Sequence, residues 1–169
     1  MKIDLIAATK QDKETIQNLG RFYVYEMSRY CGFLPGWETP SSGLFECKDF
    51  SFYWKESNHY PFLIKVDDEI AGFALVNKKG TTSDVDWDMG EFFVISKFQG
   101  KGVGRFVAER IFDQFPGVWE VRQIPENKGA VDFWEKVIRT YTHGKFEKAQ
   151  KVIFAPEPFP MIVLKFLAV

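Results

Sequence analysis

Apolar and polar positions along the chain switch between two periods, and the switches mark its elements. Residues 2–7 read as a short strand. Thr9, with Asp12 three residues on, has the form of a capping box. Ile16, Leu19, Tyr23 and Met27 then recur at helical spacing, which predicts a helix to about Ser28. Residues 29–60 are broken by Cys31-Gly32, Pro35-Gly36 and the run Pro40 to Gly43, yet they are rich in aromatics. They read as packed loops with one or two short helices, including residues 50–56. Phe62–Val66 and Ile70–Val76 form a predicted hairpin over the acidic turn Asp67-Asp68-Glu69, and after a polar loop Val85–Ile95 reads as a long strand. From Val103 the period becomes helical, with Val107 and Ile111 in register and Ala108, Phe112 and Phe115 beside them. Pro116-Gly117 stops that helix. Val118–Ile124 is a further strand, and Asn127 leads into a helix over 128–138. Tyr141–Glu147 and Met161–Phe166 read as the last two strands, with Pro156, Pro158 and Pro160 marking an irregular connection. Strands alternating with helices in this order predict an α/β protein built on a mixed sheet.

Composition narrows the class. The 169 residues fit one domain spanning 1–169. A charged fraction of 27% beside 46% hydrophobic residues argues for a folded, soluble chain. A net charge of −1 provides no field for holding nucleic acid. No apolar run reaches membrane-spanning length, and Asp4 inside the first apolar segment argues against a signal peptide; the expected location is cytoplasmic. Cys31 and Cys47 lack metal-type spacing and are expected as free thiols, and His59 and His143 are too isolated to suggest zinc, so no metal is expected.

The candidate chemistry lies in residues 91–104. An apolar strand runs into Ser96-Lys97-Phe98-Gln99-Gly100-Lys101-Gly102-Val103-Gly104, and a helix follows. Free N–H groups at a helix N-terminus, its dipole and close-approaching glycines together make a socket for an anion such as a phosphate or pyrophosphate. Spacing tests the alternatives. A triphosphate-binding loop needs Lys-Ser/Thr after its last glycine, and Arg105-Phe106 stands there instead. The dinucleotide fingerprint needs Gly-x-Gly-x-x-Gly, and the gap from Gly102 to Gly104 is too short for it.

What remains, Gln99-x-x-Gly102-x-Gly104 after a strand, resembles the pyrophosphate loop of the GNAT superfamily, the Gcn5-related N-acetyltransferases. The later helix, with Asn127, Ala130, Phe133 and Trp134, is similar to that family's Asn-x-x-Ala-x-x-Phe-Tyr pattern. The resemblance is specific across residues 87–138 and topological elsewhere. It implies a mostly antiparallel sheet of six to seven strands flanked by helices, with a splay between strands 85–95 and 118–124. It also implies acetyl-CoA as cosubstrate, an amine on a small molecule or protein as acceptor, and an oligomeric state open between monomer and homodimer. The cosubstrate's arm would bond along Phe93, Val94 and Ile95, and Gln99, Gly100, Lys101, Gly102, Val103 and Gly104 would hold the pyrophosphate. Lys101 or Arg105 would add charge or else be solvated surface cations, and Asn127 would touch the arm or cap its helix.

Catalytic candidates follow from the chemistry of amine acylation, which needs a base, a held carbonyl and a protonated or stabilised leaving thiolate. The acids Asp84, Asp86, Asp88 and Glu91 line the long strand; Glu91 and then Asp88 rank first as base. A main-chain N–H in 92–94 would hold the carbonyl. Trp134 stands where the family carries an acidic tyrosine, and an indole N–H is a donor without being a useful proton source. Trp134 would then pack on the arm, and either Tyr141 or solvent would supply the proton. An acyl-CoA-binding module without turnover and a structural domain with an empty loop are the alternative classes.

Overall fold

Seven strands and three α-helices form among the described residues, 1–154 and 157–169, of the computed structural model. In chain order they are β1 (Ile3–Ala7), α1 (Lys13–Cys31), β2 (His59–Val66), β3 (Glu69–Asn77), β4 (Trp87–Val94), α2 (Val103–Gln114), β5 (Gly117–Gln123), α3 (Lys128–Tyr141), β6 (Phe146–Phe154) and β7 (Pro158–Ala168). The strands form one sheet in the order β1-β2-β3-β4-β5-β7-β6, antiparallel throughout except for the parallel β4–β5 pair. This is the expected α/β architecture.

Local chemistry explains most boundaries. The Thr9–Asp12 capping box closes on a short 3₁₀ turn, with the Thr9 N–H donating to Asp12 Oδ2 at 2.7 Å, and α1 follows directly. The helix runs past Ser28 to Cys31, where the Gly32 N–H closes the last turn on the Ser28 carbonyl. The β2–β3 hairpin turns at Asp67 and Asp68, whose φ angles of 48° and 66° are the pair of positive values that a tight two-residue hairpin requires. The short helix expected over 50–56 is a single 3₁₀ turn, Ser51–Trp54.

The last hairpin corrects the sequence reading. Tyr141 ends α3, because Trp134, Val137 and Ile138 are buried at helical spacing and Tyr141 continues their stripe against the core. His143 and Gly144, both at positive φ, make the turn, so β6 begins at Phe146. Pro158 and Pro160 lie inside β7. There β7 pairs only with β6, its pairing with β5 starting at Ile162, so a proline on the open edge breaks no ladder. Pro156 lies outside the described residues.

Two apolar layers cover the sheet. On one face α2 and α3 bury Val107, Ile111, Phe112 and Ile138 against Trp119, Val121 and Leu164. On the other, α1 and the Ser51–Trp54 turn bury Ile16, Phe50 and Tyr53 against Leu63, Phe73, Leu75 and Phe93.

One irregularity shapes the site. In the β3–β4 ladder Leu75 faces Glu91 and Val76 faces Met89, so Gly90 is the extra residue of a bulge. A Cβ there would lie 2.3 Å from Tyr53 Oη and 2.7 Å from Asn77 Nδ2, so glycine is required. Below the bulge, Trp87, Asp88 and Met89 pair with Trp119, Glu120 and Val121 of β5; above it β4 has no partner on that side among the described residues. A bulge bends its strand and increases its twist, and here the two strands part beyond it. This is the expected splay, between Trp87–Val94 and Gly117–Gln123.

Trp119 is fully buried and contacts Phe112, Phe115 and Trp87, and its indole N–H donates to the Phe115 carbonyl at 2.8 Å. Trp119→Ala is expected to cost about 3–5 kcal/mol, read as a lowered midpoint in urea unfolding; a loss below about 1 kcal/mol would contradict this account of the core.

Candidate functional site

The open half of β4 presents main-chain groups to the gap. The Ile95 N–H donates to the Ala71 carbonyl of β3. Successive strand N–H groups point to opposite edges, so those of Val94 and Phe92 face the side where β5 has turned away. The Gln99 side chain donates to the Val94 carbonyl at 2.7 Å and to the Glu26 carboxylate of α1 at 2.9 Å. The Ser96 hydroxyl also donates to Glu26. Glu26 thus ties α1 to the start of the loop, a link between residues 70 or more apart in sequence.

The loop ends at the N-terminus of α2. Gly100 and Gly102 have φ of 70° and 84°, conformations that glycine adopts without strain. Among the described residues, the hydrogen bonds include none donated by the main-chain N–H groups of Gly100 through Arg105; Phe106 is the first to bond back, to the Gly102 carbonyl. Consecutive unpaired N–H groups at a helix start form an anion socket. Gly104 lets α3 close on it, since a Cβ there would sit 3.1 Å from the Phe133 ring.

The three basic residues of the loop differ. Lys97 pairs with Glu69 at 2.6 Å and Arg105 with Glu109 at 3.1 Å. Lys101 donates to the Lys97 carbonyl at 2.7 Å and has no carboxylate partner among the described residues. Lys101 is therefore the cation better placed to serve a bound anion, and Arg105 is engaged along its own helix.

The opposite wall comes from α3. Asn127 caps it, its Oδ1 accepting from the Ala130 N–H at 3.2 Å. Phe133 stacks on Phe92 with centroids 5.9 Å apart, and buried Trp134 meets Phe92 edge-on at 5.0 Å. These rings close the gap on the α2–α3 face.

The acids of the long strand separate sharply. Asp84 pairs with Lys165 at 2.7 Å, and hydrogen bonds from Lys165 and Thr82 hold its carboxyl down to about 2. Asp86 accepts from the Val118 N–H at 2.8 Å. Asp88 is fully buried and grips Arg122 of β5 with both oxygens, at 3.0 and 2.7 Å, while Asn77 donates to it at 3.3 Å. Burial pushes Asp88 up, against the pull of Arg122 and Asn77. With both oxygens held in this pair it is not placed to take a substrate proton, and the structure gives it a joining role instead.

Glu91 is different. It projects from β4 toward α1, mostly covered, beside the Tyr23 phenol, and its Oε1 meets the exposed Lys48 ammonium at 2.5 Å, its one ion pair among the described residues. Burial first, and then the charge of Glu91, hold the Tyr23 phenol well above its ordinary value. Exposed partners such as Lys48 contribute little and exchange easily, so this pair is a weak one.

The structure does not bring Tyr141 to this site. Its hydroxyl donates to Asp113 near the far end of α2 at 3.0 Å, and burial, followed by that bond and charge, pushes it up to about 12. Sequence reasoning missed Glu26, Lys48, Arg122 and Tyr23. Only Arg122 had a visible signal, a charge within an otherwise apolar strand. Among the described residues no group of three or more His, Cys, Asp and Glu is arranged to hold a metal ion, and no helix is long and apolar enough to cross a membrane.

Comparison with known proteins agrees with this geometry. The sequence model of the acetyltransferase (GNAT) family matches residues 22–138. No curated relative matches the chain by sequence. Among solved structures, an acetyltransferase from Thermus thermophilus has a TM-score of 0.65 at 16% identity, over 99% of this chain and 97% of its own. The ribosomal-protein-S18-alanine N-acetyltransferase from Escherichia coli has a TM-score of 0.61 at 12% identity, over 99% and 94%. The yncA protein of Salmonella typhimurium, solved with its cofactor acetyl-CoA, has a TM-score of 0.61 at 14% identity, over 99% and 94%. At these identities the likeness is one of fold.

Gly102→Glu tests the socket. Nothing lies within 4 Å of a Cβ at this position, so the fold is expected to survive with about 1–2 kcal/mol of backbone strain. The added carboxylate would repel an anion. Calorimetric titration with CoA is expected to show binding to the parent and none to the variant, with matching circular dichroism; retained affinity would mean that the loop holds no phosphate.

Proposed function

The chain belongs to the GNAT acetyltransferase family, and on that footing we propose that it transfers the acetyl group of acetyl-CoA to a primary amine of a small molecule or protein. What supports this reading is two sets of main-chain donors that have no partner among the described residues, Phe92 and Val94 along the gap and Gly100–Arg105 at the start of α2. An extended arm ending in a pyrophosphate complements both sets.

Each residue then has a task. The glycine loop and Lys101 hold the pyrophosphate. Val94 pairs with the arm as a strand would. The Phe92 N–H lies at the reacting end and holds the thioester carbonyl, strengthening its bond as negative charge develops on the oxygen. Glu91 attracts the acceptor's ammonium in place of Lys48 and takes its proton, directly or through one water, so that a neutral amine attacks the carbonyl carbon. The C–S bond breaks, the electron pair leaves on sulfur, and the attacking nitrogen gives up its extra proton to solvent, leaving a neutral amide. Trp134 lacks a transferable proton, Tyr141 is bound to Asp113, and Tyr53 accepts from Asn77 at 2.9 Å. In this reading the thiolate takes its proton from solvent, which a thiol of ordinary pKa about 8.5 tolerates.

The amine class of the acceptor is supported by Glu91 and its exchangeable cation, and by the named activity of the E. coli structural neighbour. Trp134 favours a second reading, an acyl-CoA-binding module without turnover. Release of free thiol from acetyl-CoA in the presence of an amine panel separates the two. With an accepted amine, Glu91→Gln is expected to lower kcat about 10²- to 10⁴-fold while leaving the Kd for acetyl-CoA unchanged. Unchanged kcat would remove Glu91 from the mechanism, and thiol release with no amine in the panel would leave the binding-module reading.

A further inference from the structure

The sheet has two edges, and they are built differently. β1 is five residues long, whereas β6 runs for nine, with no proline and in unbroken register with β7. The outer side of β6 has no partner strand among the described residues. Proteins usually keep such an edge short, bulged, broken by proline or armed with lysines that project over it. The two lysines of β6 are not used in that way. Lys148 is drawn to Glu135 of α3 at 2.6 Å, and Lys151 turns to the other face, to Thr81 at 3.2 Å and to buried Glu120 at 3.6 Å. Val152 and Phe154, on the same face as Lys148, are left 58% and 75% exposed.

The neighbouring strands fix which main-chain groups of β6 point outward. The N–H and the carbonyl of Val118 both point to the β4 side of β5, where they bond Asp86. Trp119 and Val121 therefore face β7, where their partners are Phe166 and Leu164. Alternation then turns Lys165 and Val163 toward β6, where they meet Glu147 and Ala149. The N–H and C=O groups of Lys148, Gln150 and Val152 are left for the open edge.

We propose that this edge pairs with the same edge of a second copy of the chain, antiparallel, about a two-fold axis at Ala149. In such a pairing the strand meets its own sequence reversed, so its charges select the register. Centred on Ala149, Glu147 faces Lys151 of the other copy on both sides of the axis, and Phe146 faces Val152. Lys148 and Gln150 exchange main-chain bonds across the join. The Lys151 ammonium has donors enough to keep Thr81 and Glu120 while it meets Glu147. Centred on Lys148 or Lys151, like charges meet; centred on Gln150, Glu147 meets Ile153 and Lys148 meets Val152. The pairing joins two sheets into one and leaves the gap between β4 and β5 clear of the join.

Sedimentation equilibrium of the full chain under reducing conditions is expected to show a reversible dimer. Gln150→Pro removes an N–H that points to the open edge and leaves the ladder with β7 intact. It is expected to raise the dimer's dissociation constant about 100-fold, with unchanged circular dichroism. Ala149→Cys reads the register. The two Ala149 residues form the non-hydrogen-bonded pair at the axis, where Cα atoms about 4.5 Å apart permit a disulfide. Mild oxidation is expected to cross-link this variant, but neither Gln150→Cys, which faces Lys148, nor the parent with its own Cys31 and Cys47. A monomeric parent, a dimer that folded Gln150→Pro leaves equally tight, or one that Ala149→Cys cross-links no better than Gln150→Cys would each overturn the proposal. If Gln150→Pro does not fold, the cross-linking comparison decides.

Discussion

One extra residue in β4 sets up the rest of the molecule. Gly90 is the bulge, and it is glycine because Tyr53 and Asn77 occupy the space of a side chain. Below it β4 and β5 are locked by the buried Asp88–Arg122 pair, with both carboxylate oxygens engaged. Removing one member of such a pair typically costs about 3–5 kcal/mol, so the point where the strands part is firmly placed. Above it the pairing ends, and Phe92 and Val94 have main-chain groups with no partner strand among the described residues. The parting of the strands is therefore set by the packing around Gly90.

The remaining parts of the site are attached to that gap by long-range contacts. Glu26 of α1 binds Ser96 and Gln99 and so fixes where the glycine loop leaves β4. Phe133 and Trp134 of α3 pack on Phe92 and set the depth of the gap on the opposite face. Glu91, just above the bulge, points to the α1 side, where exposed Lys48 is its only ionic partner among the described residues. Two carboxylates three residues apart on one strand thus have opposite fates. The one below the bulge joins two strands, and the one above it pairs with an exposed lysine.

Much of the fold was legible because it is periodic. The apolar stripe of α2, the capping box at Thr9 and the acidic turn at Asp67-Asp68 are local signals, and each element appeared where its signal lay. The turn of the glycine loop was legible for the same reason, since Gly100 and Gly102 act through their own backbone conformation. The misreadings come from residues whose role depends on distant partners. Asp88 looks like a free acid until Arg122, 34 positions on, is placed beside it. Tyr141 looks like the start of a strand, although its spacing from Val137 and Ile138 continues the helical stripe. The bulge itself left one faint mark, a glycine inside an apolar strand, and the splay was inferred from resemblance instead.

Amide-resolved hydrogen exchange, with and without CoA, tests the central claim most directly. If the gap receives the cosubstrate as an added strand, binding slows exchange at Phe92 and Val94 and at the run Gly100–Arg105, with little change at Phe73 or Leu75, whose ladder is already complete. Protection absent from Phe92 and Val94, or confined to another part of the sheet, would contradict the account.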